Sequence, residues 1–214
     1  MYKTFIKRSL DIIFALVLLP FVLIIITICG IMIKLEDRGT VFYFSTRLGK
    51  NRKLFKMIKL RTMKLNAPDI RNEDGSTYNS EDDLRLTKIG KFLRKTSLDE
   101  LPQIFNVLIG NMSFIGPRPD LTDQIIYYSK NDFKKLKVLP GISGYNQAYF
   151  RNSLNWKNKI ENDIFYVEHL TFLLDFKIFF KTIKMIFLSR GIYIKNINSE
   201  SRKKEYVQSN SSEQ

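Results

Sequence analysis

The 214-residue chain holds 35 lysines and arginines against 21 acidic residues, a formal charge of +14 and an isoelectric point near 9.8. Its length suits one domain with its own core, and its charge calls for an anionic partner: nucleic acid, anionic lipid or a phosphorylated substrate. A single cysteine, Cys29, excludes an intramolecular disulfide and fits a reduced compartment; a single histidine, His169, excludes a multi-histidine metal site in one chain.

Residues 12–33 carry no charge and are rich in Ile, Leu, Val and Phe, long enough to cross a bilayer as a helix. A plain transmembrane span is the default reading. Two features favour a re-entrant helix that dips into the bilayer and returns. Basic residues flank the run on both sides, with Lys3, Lys7 and Arg8 before it and Lys34, Arg38, Arg47 and Lys50 after it. Pro20, inside the run, removes a backbone donor and kinks a helix.

Beyond this segment, residues 40–45 (TVFYFS) read as a strand, and residues 54–63 as a second strand with one basic face. In that second run Phe55, Met57 or Ile58, and Leu60 alternate with Lys56, Lys59 and Arg61; residues 47–51 supply the turn. Residues 64–83 form a polar, acidic surface loop, and residues 84–93 a short basic amphipathic helix. Residues 121–139 show helical periodicity, residues 140–144 a Pro-Gly turn, and residues 156–188 one or two helices pairing aromatics with Lys177, Lys181 and Lys184. Such helices suit the membrane interface, or equally a core with a solvated lysine face. The polar tail, 196–214, is expected to be disordered. The composition holds no zinc-finger or RNP pattern, so no nucleic-acid partner is expected.

The chemistry concentrates in residues 95–120, KTSLDELPQIFNVLIGNMSFIGPRPD. Ser97-Leu98-Asp99-Glu100 matches the capping box, which by itself accounts for two acidic residues in a first helical turn. The same field would keep Asp99 ionised as a carboxylate nucleophile and draw a phosphoryl group to it, with Glu100 free to hold Mg²⁺. Lys59, Arg61, Arg94 and Arg118 are the candidate phosphate ligands, Arg118 being fixed between Pro117 and Pro119.

FKMIKLRTM, RLTKIGKFLRKTSLDELPQIFNVLIGNMSFIGPRP, PGISGYNQ and LDFKIF, in that order, resemble the bacterial sugar transferases of the monotopic phosphoglycosyl transferase family. The resemblance reaches from the N-terminal helix to about residue 190 and matches the family's minimal catalytic form. It implies a mixed α/β, mostly helical, monotopic membrane protein: a re-entrant helix with its flanks over 1–38, a catalytic domain with interfacial helices around a small strand element over 39–195, then the tail. It also implies transfer of a sugar-1-phosphate from a UDP-sugar to a polyprenol phosphate, releasing UMP, at the cytoplasmic face of the bacterial cell membrane.

Asp99 then matches the nucleophile that forms a covalent phosphosugar adduct, and Glu100 its Mg²⁺-associated partner. Lys59, Arg61, Arg94, Pro117, Arg118, Pro119, Arg151 and Asp175 fall among the substrate-binding positions, anionic lipids are implied as partners, and a homodimer is allowed. The chain departs from the pattern at Pro20, at Tyr145-Asn146 and at Phe150, so the identity of the sugar does not carry over. Two other classes fit parts of the sequence: a non-enzymatic basic membrane-binding protein and a Mg²⁺-dependent nucleotide-sugar hydrolase.

Overall fold

In the computed structural model, residues 2–71, 78, 80, 83–150 and 154–188 are described. The tail 196–214, Arg151 and most of the loop 72–82 lie outside them, so the expectations placed there are not addressed. The apolar run forms one helix, α1 (Lys7–Asp37), entered through a π-helical turn at Tyr2–Ile6. It continues through Pro20 without interruption. At 31 residues it is about 46 Å long.

Asp11, Ala15, Val22, Ile26, Cys29, Gly30 and Ile33 are buried at helical spacing, so one stripe of α1 faces the protein along its length. The opposite face leaves Ile13, Val17, Phe21, Ile24, Ile28 and Ile31 exposed. Both ends are tied to the same body. At the start, Arg8 donates to the Val107 and Leu108 carbonyls (2.6 and 3.0 Å), Lys7 pairs with Asp175 (2.6 Å), and Asp11 accepts from Ser113 Oγ and Phe114 N. At the finish, Glu36 accepts from the Lys88 and Ile89 amides, and Asp37 forms a bidentate pair with Arg61. Part of each basic flank is therefore spent on internal contacts.

Next comes an antiparallel hairpin of β1 (Phe42–Leu48) and β2 (Leu54–Leu60), registered from Phe42↔Leu60 to Leu48↔Leu54. The first strand runs three residues past its expected end, and the turn shifts to 49–53. The shift follows from Asn51 and Arg52, which take left-handed conformations (φ 54° and 65°), a geometry asparagine tolerates. Helix α2 (Lys88–Thr96) starts four residues later than expected because Thr87 caps it, its hydroxyl accepting from Gly90 N. After a 3₁₀ turn at Leu98–Glu100 comes the short α3 (Gln103–Leu108).

A second, two-stranded parallel sheet pairs β3 (Ser113–Ile115) with β4 (Gly141–Ser143), where a Pro-Gly turn was expected. The single helix expected over 121–139 is not formed. Two 3₁₀ segments, Asp123–Tyr127 and Asp132–Lys137, replace it. Tyr128 between them is extended, with its hydroxyl on Asp120, while the Asp132 carboxylate accepts from Ser129 N and turns the chain again. Helix α4 (Tyr145–Tyr149), α5 (Trp156–Glu168) and α6 (Phe172–Leu188) complete the order, so the expected C-terminal helical region is two helices.

Two apolar clusters result. One joins α1 to β2, α2 and α3 through Val22, Ile26, Phe55, Met57, Leu93 and Ile104; the other joins β3 and α4 to α5 and α6 through Ile115, Ala148, Tyr166 and Ile178. Among the described residues the fold is thus mostly helical with two small sheets.

At the parallel pair the two backbones nearly touch: a Cβ on Gly141 would sit 2.1 Å from the Gly116 nitrogen. Only glycine fits, and the approach lets Gly141 N donate to the Pro117 carbonyl (2.9 Å). Gly141→Ala is expected to cost about 3 kcal/mol or more, read as a lowered melting temperature in detergent; an unchanged melting temperature would refute the close approach.

Candidate active site

The acidic pair sits where α2 gives way to α3. Ser97 ends α2 in a left-handed conformation (φ 59°), its amide donating to the Leu93 and Arg94 carbonyls, and its side chain makes no capping bond. The capping-box expectation is therefore corrected. Asp99 and Glu100 occupy the 3₁₀ turn Leu98–Glu100, and α3 begins only after Pro102. Ser97 both closes α2 and opens the 3₁₀ turn through its carbonyl, which accepts from Glu100 N (3.3 Å), but its left-handed backbone leaves the side chain out of any cap. With α3 only six residues long, the pair is placed by side-chain electrostatics and not by a helix field.

The two carboxylates have opposite surroundings. Glu100 Oε1 accepts from Lys59 Nζ at 2.6 Å and from Arg118 Nη2 at 3.0 Å. Burial works against its charge, but these two cations outweigh burial and hold Glu100 far below the usual carboxylate range. Asp99 is 9% exposed, and no described residue hydrogen-bonds or ion-pairs with it. Burial pushes it up to about 6 against the pull of the Lys59 charge, and the Glu100 charge adds to the rise. Adjacent carboxylates driven apart in this way divide the labour: one is locked as an ion-pair partner and the other keeps its lone pairs unengaged.

Lys59 reaches Glu100 from the last turn of β2, and α3 fixes that strand from below. The buried Asn106 amide accepts from Ile58 N (2.9 Å) and donates to the Lys56 carbonyl (2.8 Å), clamping α3 to the stretch before Lys59. Arg94, on α2, donates to Thr62 Oγ1 (3.0 Å), and its charge reaches Asp99.

Arg118 is 51% exposed at its side chain while Pro117 and Pro119 are buried, so the loop is rigid and its cation projects. Behind it lies a buried polar network that composition and motif reading do not flag. Lys135 Nζ, 3% exposed, bridges Asp120 (2.6 Å) and Asp163 (2.9 Å), and Tyr128 also donates to Asp120. Asn146 donates to Asp163 (2.8 Å). The network pins the residue after Pro119 to α5. The sequence carries no local signal for it, since Lys135 stands between Lys134 and Lys137 in one basic run.

Of the ten candidate residues, Lys59, Arg94, Asp99, Glu100, Arg118 and the two prolines are brought to one place. Arg61 is not a free phosphate ligand: its guanidinium is filled by Asp37, the Thr40 carbonyl and the Met63 carbonyl, which makes it a staple on α1. Asp175 also lies apart from that cluster. It is buried and accepts from Tyr2, Lys7 and Tyr166, tying α6 to the start of α1. Arg151 lies outside the described residues.

A cation-lined pair of carboxylates beside a long apolar helix is the outline of an enzyme that handles phosphoryl groups near lipid. Residues 2–189 match the bacterial sugar transferase family, and the chain belongs to it. It is 38% identical over 186 residues to the uncharacterized sugar transferase EpsL of Bacillus subtilis, covering 87% of this chain and 89% of that protein. It is 36% identical to a UDP-N-acetylgalactosamine-undecaprenyl-phosphate N-acetylgalactosaminephosphotransferase of Aeromonas hydrophila, covering 87% and 45%. With the undecaprenyl-phosphate galactose phosphotransferase of Salmonella typhimurium it shares 35% identity, covering 88% and 42%. The chain thus spans under half the length of the last two.

The raised Asp99 has a consequence for stability. Above about pH 6 the folded protein bears the full cost of an ionised, unpartnered carboxylate, and below the unfolded value near 3.8 it bears none. Asp99→Asn is therefore expected to raise the melting temperature at pH 7.5, by up to about 3 kcal/mol of stability, with the gain vanishing near pH 4. A variant that melts lower than the parent at pH 7.5 would contradict the assigned environment.

Proposed function

We propose that the chain transfers a sugar-1-phosphate from a UDP-sugar to a polyprenol phosphate, releasing UMP, as the first membrane step of surface polysaccharide or glycoconjugate synthesis. The observation that carries the reading is the unpartnered Asp99 carboxylate beside the doubly ion-paired Glu100. The Aeromonas and Salmonella relatives, named as undecaprenyl-phosphate sugar phosphotransferases, support the choice of donor and acceptor class.

In the proposed reaction an Asp99 oxygen attacks the sugar-side phosphorus, the phosphoanhydride bond breaks, and the nucleotide departs as UMP. The polyprenol phosphate oxygen then attacks the same phosphorus, and the Asp99–phosphorus bond breaks to regenerate the carboxylate. Lys59 and Arg118 neutralise the charge of the bound diphosphate and the charge that builds on the departing UMP phosphate.

The donor set suits Mg²⁺. Both Glu100 bonds go to Oε1, which leaves Oε2 and the Asp99 carboxylate unengaged by described residues, and Mg²⁺ takes one or two carboxylates plus substrate phosphates. No group of three or more metal-binding side chains occurs among the described residues, so the diphosphate would share the ion. When bound, Mg²⁺ would supply charge neutralisation of the departing phosphate.

The proposed membrane arrangement is monotopic, with α1 re-entrant and the catalytic body on the cytoplasmic face. Two observations support it. Both ends of α1 are bonded to one body, where a span would carry one end to the far side of the bilayer. The exposed apolar face of α1 is also continuous with that of α6, since Phe14 meets Phe179 edge-on and Phe172, Phe176 and Phe180 remain exposed.

The assay uses detergent-solubilised full-length protein with UDP-sugars, Mg²⁺ and a polyprenol phosphate, following UMP. Turnover should require the lipid, Asp99→Asn should lose both turnover and the covalent adduct, and kcat/KM should fall as pH drops through about 6, where Asp99 takes up its proton. Lipid-independent UMP release would indicate a hydrolase; no turnover with any UDP-sugar would indicate a binding protein. For topology, single cysteines at Lys3 and Arg38 in a Cys29→Ser background should both label from the cytoplasmic side. Labelling from opposite sides would sink the re-entrant arrangement.

A further inference from the structure

Arg47, on β1, stands apart from the other half-buried or buried arginines. Arg8 is satisfied by two carbonyls, Arg61 is paired with Asp37 and Arg85 with Asp83, Arg94 donates to Thr62, and Arg71 bonds Asp69 through Nε and Nη2 while its Nη1 lies 3.6 Å from Asp123; the more exposed Arg118 is paired with Glu100. Arg47 donates from Nε to Ser45 Oγ (3.0 Å), and no described residue accepts from either of its Nη atoms. A half-buried guanidinium offering its two-pronged end without an acceptor is matched to an anion that arrives from outside.

Its position gives that anion a place. In the hairpin register Arg47 lies on the same face as Tyr43, which is paired with Lys59, four residues along β1 and so about 13 Å away. The charge of Arg118 reaches both Arg47 and Lys59. β1 runs beside the Pro-Arg-Pro loop, with Leu48 N donating to the Asp120 carbonyl (3.0 Å) and Arg47 bridged to Leu121. Burial and then the Arg118 charge bring Arg47 down to about 10. Asp120, whose charge reaches Arg47, is already taken by Lys135 and Tyr128.

We propose that Arg47 and Arg118 together form a second phosphate position, on the side of Arg118 away from Asp99, that receives a phosphate monoester dianion. Within the reaction proposed above, on which this rests, the dianion is either the departing nucleoside monophosphate or the phosphate head of the polyprenol acceptor. Arg118 would then lie between the two phosphates, one at Asp99 and one at Arg47, and exchange part of its bond to Glu100 for them.

The test measures equilibrium binding of UMP, and separately of a polyprenyl phosphate, to the detergent-solubilised full chain carrying Arg47→Gln. Arg47→Lys serves as a second variant that keeps the charge and loses the fork. With melting temperatures at the parent value, Arg47→Gln should weaken one of the two ligands by about 10- to 100-fold, and Arg47→Lys should fall between. Loss confined to UMP assigns the position to the nucleotide; loss confined to the polyprenyl phosphate assigns it to the acceptor. If both variants bind both ligands as the parent does, the proposal is overturned. These titrations read binding without turnover, so a parent protein that binds UMP through Arg47 yet transfers no sugar phosphate would sink the transferase reading and leave the anion position standing.

Discussion

Glu100 is gripped by two cations through a single oxygen, and Asp99, the residue beside it, is gripped by none. That asymmetry is what the remainder of the site is arranged to maintain. Had Lys59 or Arg118 bonded Asp99 instead, its carboxylate would be an ordinary ion-pair partner with its lone pairs engaged and its affinity for a proton depressed. Glu100 acts as a decoy that fixes both cations within reach of Asp99 while keeping them off it. Keeping an unpartnered carboxylate buried is costly, so the arrangement has to be over-determined by its surroundings.

The over-determination comes from three directions. Asn106 holds α3 to β2 through the backbone on either side of Met57, so the helix after the acidic turn and the strand bearing Lys59 move as one piece. The backbone contact of Gly116 with Gly141, and the bond from Gly141 N to the Pro117 carbonyl, set the near side of the Arg118 loop. The Lys135 bridge to Asp120 and Asp163 sets its far side. Buried ion pairs of this kind add little net stability over apolar packing, but removing one partner strands a charge and costs several kcal/mol. They define one geometry more than they deepen it. The ion pairs at the two ends of α1, Lys7–Asp175 and Arg61–Asp37, do the same for the helix against its body.

These distinctions explain what could be read from the sequence. The helix over the apolar run, the hairpin and the gathering of Lys59, Arg94, Asp99, Glu100 and Arg118 were legible because each rests on a local pattern or a motif. The internal ion pairs of Arg61 and Asp175 were not legible, because a charged residue in a motif reads the same whether its partner is a substrate or a charged residue far along the chain. Their partners lie 24 residues away at Asp37 and 168 away at Lys7, a separation that no window captures. Residues 121–139 read as a helix because apolar spacing was counted while the side-chain bonds of Tyr128 and Asp132, which break it, were invisible. The capping box failed for a related reason: the motif does not show that Ser97 is left-handed, and with that backbone its side chain makes no cap.

The two cations on Glu100 are not equivalent, and the difference bears on how a diphosphate could enter. Lys59 is largely buried at 15% side-chain exposure and its bond is 2.6 Å; Arg118 is half exposed and its bond is 3.0 Å. A half-exposed pair is worth about 1 kcal/mol or less, whereas breaking a buried one costs about 3–5 kcal/mol. An arriving phosphate would therefore win Arg118 from Glu100 at little cost and leave Lys59 where it is. On the proposed reaction, Lys59 would keep Glu100 ionised and in place throughout, while Arg118, carried on a backbone that the prolines hold still, would change partner by rotating its side chain alone. The rigid loop and the mobile cation are thus one device: the backbone entropy is lost on folding, and the ligand has only a side chain to order.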